Sequence, residues 1–204
     1  MVIPLRYGNT NTYFVRGDRG GILVDTDWAG TLPGFYGALK AKHLHIEEIS
    51  CVMATHYHPD HIGLISQLMQ QGVQLLLFDV QRRFVHAPDA IFAREKLLQY
   101  TPIPEEQALH LSCTESRAFL QTLGIAGEVL HTPGHSDDSV SLILDAGVAI
   151  VGDLDPLPYL PAYPAEDLRH ASWQNILAHR PQQILYAHAN AQQLCTNRKE
   201  GDRA

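Results

Sequence analysis

Apolar residues recur along the chain in short runs separated by turn-rich and helix-spaced stretches. Asn11 to Val15 and Gly21 to Asp25 are β-rich runs joined by "RGDRGG", which predicts a hairpin. "TLPGFYGALKAKH" has helical spacing with Pro33 near its start, and the apolar run in "EEISCVMAT" predicts a strand. Beyond "ATHYHPDHIGL", Ile62, Ile65, Leu68 and Met69 fall at helical spacing and Gly72 supplies a stop. A cluster of three histidines and one aspartate, His56 to His61, therefore joins the end of a strand to the start of a helix.

The second half repeats this alternation. "VQLLLFD" predicts a buried strand, and the stretch from Val80 to Tyr100 is expected to be largely helical. "GEVLHTPGHSDDSVSLILDAGVAIVGD" alternates strand-like runs with turns, broken at Pro133-Gly134 and Ala146-Gly147. "DPLPYLPAYP", with four prolines in ten positions, predicts a loop; Asp167 to His179 predicts a helix and "QQILYAHA" a last strand. Strands and helices interleave in two similar halves. A chain of 204 residues suits one domain, since at this size roughly 70% of the extended surface leaves water on folding. The expected bounds are 1–196, with "NRKEGDRA" at 197–204 as a frayed tail.

Charge narrows the partners. With 15 basic and 22 acidic residues the net charge is −7, and no Lys/Arg run opposes it, so a nucleic-acid partner is not expected. No stretch approaches the ~18 apolar residues of a membrane span, and "MVIPLRYGNTNTYFV" lacks the pattern of a signal peptide, so a cytoplasmic location is expected. Cys51, Cys113 and Cys195 are odd in number and widely spaced, which indicates neither a disulfide framework nor a zinc ribbon. The expected partner is a small-molecule substrate, and the oligomeric state stays open.

The histidine cluster is the strongest chemical signal. At this composition HxHxDH arises by chance in about one such chain in four hundred. Two histidines two apart in extended chain present their rings on one side. Asp60, after Pro59, sits where a helix N-terminus favours a carboxylate. Imidazole and carboxylate are ligands for zinc, iron and manganese. Two cations would need more ligands, and His135 in "TPGHS", Asp153 in "VGDLD" and His188 in "LYAHA" each follow an apolar strand-like run.

From "NTNTYFV" and "GGILVDTDW" to "ILYAHA", this constellation resembles the metallo-β-lactamase-fold hydrolase superfamily. The resemblance implies an α/β fold: a four-layer αβ/βα sandwich, two mixed β-sheets flanked by helices. It also implies that His56, His58 and His135 hold one metal, Asp60, His61 and His188 a second, and that Asp153 bridges them. The ions would be two divalent cations, with Zn2+ the leading choice and Mn2+ or Fe2+ alternatives. The implied reaction is hydrolysis of a small thioester, lactone or phosphoester by a water the cations activate, with Asp60 as the catalytic residue that orients the water and shuttles its proton.

Other residues carry weaker expectations. Asp25 resembles a family position that bonds the far nitrogen of a ligand histidine, and reads equally as a turn aspartate. Trp28, Tyr159 and Tyr163 are candidate substrate-binding residues, and each reads also as packing. Ser136, Asp137, Asp138 and Ser139 are expected to cap the loop beyond His135, while His43, His45, His86, His110 and His131 are expected at the surface. Two other functions compete with hydrolysis: a mononuclear iron persulfide dioxygenase, and a metal- or ligand-binding protein without catalysis.

Overall fold

The computed structural model describes residues 1–95, 98 and 100–194. Cys195 and the tail expected over 197–204 lie outside the described residues.

Eleven strands form two mixed sheets among the described residues. The first has the order β1 (Val2–Leu5), β2 (Thr12–Arg16), β3 (Gly21–Val24), β4 (Ile49–Met53), β5 (Gln74–Phe78) and β6 (Leu109–Leu111). Its first two pairings are antiparallel and the rest parallel. The second runs β11 (Gln192–Gln193), β10 (Gln183–Leu185), β9 (Val148–Ile150), β8 (Val140–Leu144) and β7 (Gly127–His131), with β9 and β10 parallel.

Alternation along these strands builds three apolar layers. On β2 to β5, Phe14, Leu23, Val52, Leu75 and Leu77 face one way, onto Phe35 and Leu39 of helix α1 (Leu32–Ala41), Ile62 of α2 (Pro59–Ile62), and Ile65 and Leu68 of α3 (Ile65–Met69). Their neighbours Val15, Ile22, Val24, Cys51, Met53, Leu76 and Phe78 face the other way, onto Val129, Leu142, Leu144, Ile150 and Leu185 of the second sheet. Leu120 of α5 (Ser116–Thr122) closes one end of this middle layer. Ile143, Ala149 and Ile184 point outward onto Trp173 and Ile176 of α6 (Leu168–Ala178). Strands buried on both faces explain why the apolar runs are nearly continuous. The expected four-layer sandwich of two mixed sheets flanked by helices is the architecture observed.

Two helical expectations are corrected. The helix expected over Val80 to Tyr100 is instead a 3-10 turn at Asp79–Phe84 and the single-turn helix α4 (Asp89–Phe92). Pro88 between them lacks an N–H and disfavours helix at Ala87, while Val85 and Phe92 on either side of it are buried in the same apolar layer. The helix expected after the histidine cluster is split into α2 and α3. The break is at Gly63, whose N–H donates to the Asp27 carbonyl (2.9 Å) and where a Cβ would lie 2.1–2.3 Å from the Asp27–Ala29 backbone. Cys51 lies in the middle layer, where burial raises its thiol to about 11, as befits a small core residue. Among the described residues, no helix is long and apolar enough to cross a membrane.

Candidate metal centre

The loops at one end of the two sheets bring the candidate ligands together. The β4–α2 loop carries His56 and His58, and α2 carries Asp60 and His61. His135 comes from the β7–β8 turn, Asp153 from the residues after β9, and His188 from those after β10. Parallel β9 and β10 end side by side, which places Asp153 near His188 although 35 residues separate them.

The donor atoms form two groups that share Asp153. His58 Nδ1 lies 2.9 Å from His56 Nε2 and 3.1 Å from His135 Nε2. His188 Nε2 lies 3.0 Å from Asp60 Oδ2, and Asp60 Oδ2 lies 3.9 Å from His61 Nε2. Asp153 faces both: Oδ2 is 3.9 Å from His56 Nε2, 3.6 Å from His135 Nε2 and 3.4 Å from His61 Nε2, while Oδ1 is 3.5 Å from His188 Nε2.

These separations fit divalent cations. Ligands ~2.0–2.1 Å from one tetrahedral ion stand ~3.3–3.4 Å apart, and the separations here, 2.9 to 3.9 Å, lie on either side of that value. A neutral imidazole nitrogen has one proton or one lone pair, so His58 Nδ1 cannot satisfy both nitrogens facing it by hydrogen bonding. His61 Nε2 and Asp153 Oδ1 are buried with no hydrogen-bond partner, a costly state that a cation would relieve.

A second set of contacts aims the ligands. Asp25 Oδ2 is 3.0 Å from His61 Nδ1, and its carboxylate also accepts from Thr55 N (2.6 Å) and Thr55 Oγ1 (2.9 Å). That leaves His61 Nε2 to face Asp153. His188 Nδ1 lies 3.2 Å from the Asn9 carbonyl oxygen; donating there leaves Nε2 to face Asp60, to which it donates when protonated and beside which its lone pair is free for a cation when not. Tyr57 N donates to Asp138 Oδ2 (2.7 Å), and Gln81 Nε2 donates to the Ala54 carbonyl (3.0 Å), which ties the His56–His58 loop to the His135 turn. Gly152, at φ +60, sits where a Cβ would be 2.4 Å from Thr55 Oγ1, so the chain can enter Asp153 only with glycine there.

Charge reinforces the geometry. Burial and the surrounding histidines push His56 well below 6.5, so its ring is neutral. Burial opposes protonation of His61, yet Asp25 and Asp153 outweigh it and raise the ring to about 10. Burial would raise Asp60, but the hydrogen bond from His188 and the charge of His61 hold it at about 2. Burial likewise opposes ionisation of Asp153, and His61 draws it below the usual carboxylate range.

A cavity of about 480 Å³ opens beside the cluster, lined by His135, Asp153, Leu154, Pro156, Tyr159 and Tyr186 among others. Tyr159 thus lies at the cavity, 63% exposed. Trp28 and Tyr163 are not among the lining residues. Trp28 packs edge-on against Phe92 at 5.8 Å, and Tyr163 lies under the Arg169 guanidinium at 4.2 Å. Of the loop residues beyond His135, Ser136 and Ser139 bond each other (2.7 Å), Asp138 is buried under Tyr57, and Asp137 is exposed. His43, His45, His86, His110 and His131 are exposed. Thr55 and Gln81 were not legible beforehand: a threonine before a histidine and a glutamine after a strand carry no local pattern.

The profile of the Metallo-beta-lactamase superfamily matches residues 5–180. The chain is 30% identical over 185 residues to the beta-lactamase-like protein 2 homolog of Drosophila melanogaster, covering 89% of this chain and 59% of that one. It is 28% identical over 144 residues to an atrochrysone carboxyl ACP thioesterase of Claviceps purpurea, covering 68% and 37%. The chain therefore spans less than two thirds of these curated relatives. Among solved structures it is similar to a metallo-beta-lactamase family protein from Thermus thermophilus, with TM-score 0.71, 22% identity and coverage of 94% of this chain and 73% of that one. It is also similar to a protein solved in a di-iron-bound form, with TM-score 0.68, 20% identity and coverage of 95% and 94%. Likeness at these identities concerns the fold alone.

Proposed function

The chain belongs to the metallo-beta-lactamase superfamily, and from that premise we propose that it is a metal-dependent hydrolase of a small ester-like bond, with thioesters the first class to test. The observation that carries the reading is Asp153, whose carboxylate lies within 3.9 Å of ring nitrogens of both donor groups and whose Oδ1 is buried without a hydrogen-bond partner. His56, His58 and His135 would hold one divalent cation, and Asp60, His61 and His188 another, with Asp153 between them. Bound there, such ions supply Lewis acidity and a water acidic enough to ionise near neutral pH. Zinc is the first candidate; the di-iron form of one structural relative keeps iron, and the ligand chemistry keeps manganese, in the comparison.

The chain's own groups have distinct tasks in this reading. Asp60, ionised and partly exposed beside His188, accepts a proton from the attacking water and turns that water toward the substrate carbonyl. Asp25 and the Asn9 carbonyl keep His61 and His188 in their working tautomers. Leu154, Pro156, Tyr159 and Tyr186 give the cavity an apolar wall for the acyl part. A thioester class is supported by the thioesterase named among the relatives.

The test is elemental analysis of the purified protein together with turnover of acyl thioesters, a lactone and a bis-phosphodiester. Two divalent ions per chain with thioester turnover is the expected result. One iron per chain, with oxygen uptake on a persulfide and no hydrolysis, would replace this reading with the dioxygenase one.

A further inference from the structure

A second cleft of about 440 Å³ meets the first at His188 and Ala189, and is otherwise lined by Arg6, Asn9, Asn11 and Asn190. Its character is opposite. The first cleft has Asp153 and Asp155 in its wall and no Lys or Arg, whereas the second has a guanidinium, three side-chain amides and no carboxylate. In a chain of net charge −7, a carboxylate-free, arginine-bearing cleft beside the candidate centre is a local exception. Among the described residues, Arg6 forms no ion pair, which is true also of Arg19, Arg82, Arg94 and Arg180; what sets Arg6 apart is that it lines the cleft that reaches His188.

The segment that carries Arg6 is held firmly to the centre. Thr10 N donates to Asp27 Oδ2 (3.1 Å), Thr10 Oγ1 to the Asp60 carbonyl (2.7 Å), and Asn11 N to the Ala187 carbonyl (2.8 Å). Asn11 Nδ2 is used on the Tyr186 and Ala189 carbonyls, at 3.1 and 3.2 Å. The Asn9 carbonyl that faces His188 belongs to the same segment. The cleft is therefore built against two candidate ligands, Asp60 and His188.

We infer that the Arg6 cleft is the subsite for an anionic group, phosphate or carboxylate, on the leaving half of the substrate, and that Arg6 determines specificity there. This rests on the hydrolase reading above. A scissile carbonyl at the centre has its acyl part in the Tyr159 cleft and its leaving part in the Arg6 cleft, because the two meet only at His188 and Ala189. A guanidinium suits either anion by its paired donors, and it stays charged at any working pH.

The experiment uses metal-loaded protein and three acetyl thioesters: of coenzyme A, bearing phosphates; of glutathione, bearing carboxylates; and of N-acetylcysteamine, bearing no charge. In Arg6→Ala, the KM of the phosphate- or carboxylate-bearing ester, divided by that of the neutral ester, is expected to rise about tenfold. Whichever ratio rises names the anion. Arg82→Ala removes the same charge from a different cavity and leaves the ratios in place. Unchanged ratios in Arg6→Ala overturn the subsite. If no thioester is turned over, the thioester reading fails, and calorimetric binding of S-methyl coenzyme A and S-methyl glutathione decides the subsite separately: weaker binding of either to Arg6→Ala sustains it, and equal binding of both overturns it.

Discussion

The Asp25 carboxylate lies 3.0 Å from Nδ1 of His61, both side chains are buried, and Asp25 reaches this position with a left-handed backbone, φ 61°. A non-glycine residue in that region is strained by about 1–3 kcal/mol, though aspartate tolerates it better than most. The three contacts its carboxylate makes to Thr55 and His61 hold it there.

Replacing Asp25 with asparagine keeps the shape but puts a donor where Thr55 or His61 already donates. Metal affinity at the His61 group is expected to fall by about 10–100-fold, with the His56 group less affected. Titration with cobalt or zinc, followed by elemental analysis, should show occupancy dropping from two ions toward one. Retention of two tightly held ions would remove the orienting role.

Asp153 and His58 give the sharper test of the centre. Asp153→Ala would deprive both donor groups of a candidate ligand, and His58→Ala would remove the nitrogen that faces both His56 and His135. Metal and hydrolysis should be lost together in each. Metal content equal to that of the parent protein in both variants would sink the ligand assignment.

Metal uptake should release protons, and more readily as pH rises. The His61 ring, raised to about 10, is protonated in the metal-free site at neutral pH. His188 is raised too, chiefly by its hydrogen bond with Asp60, while His56 is already neutral. A cation must expel the His61 proton, so affinity strengthens between about pH 6 and 9. In the metal-free protein the linkage has the opposite sense: protonated His61 adds stability that is fully present below its unfolded value near 6.5 and is lost as pH rises toward 10. Calorimetric titrations in buffers of different ionisation enthalpy measure the protons released; pH-independent uptake without release contradicts the site.

Gly152 is a structural requirement of the same centre. Gly152→Ala adds a Cβ 2.4 Å from Thr55 Oγ1 at φ +60, and the strain and overlap together should cost at least about 2 kcal/mol. A fall in Tm of the metal-free protein, with weakened metal retention, is the expected outcome. An unchanged Tm would show that Thr55 moves aside freely.

Much of this protein was legible along the chain. Runs such as "QLLLF" and "SLILD" announced strands buried on both faces, and the residues at their ends were already the candidate ligands His56, His58, Asp60, His61, His135, Asp153 and His188. Those signals are local: alternation, helix spacing, proline and glycine breaks, and side chains whose only common use is to bind cations. Elements of two to four residues, such as β1, β6 and β11, were not legible, because their pairing partners rather than their own pattern hold them. The same holds for the Val80–Phe92 segment, where Pro88 breaks the chain and burial of Val85 and Phe92 in the outer apolar layer overrides helical spacing.

Only the tertiary structure decided which residues share a space. Parallel β9 and β10 set Asp153 against His188, the loop after β4 and the turn after β7 meet through Asp138 and Gln81, and Tyr159 reaches the cavity beside them. It also put Arg6 beside His188, 182 positions apart. No local pattern encodes such distances, since they follow from the crossing of two sheets whose apolar faces must pack before their loops can meet.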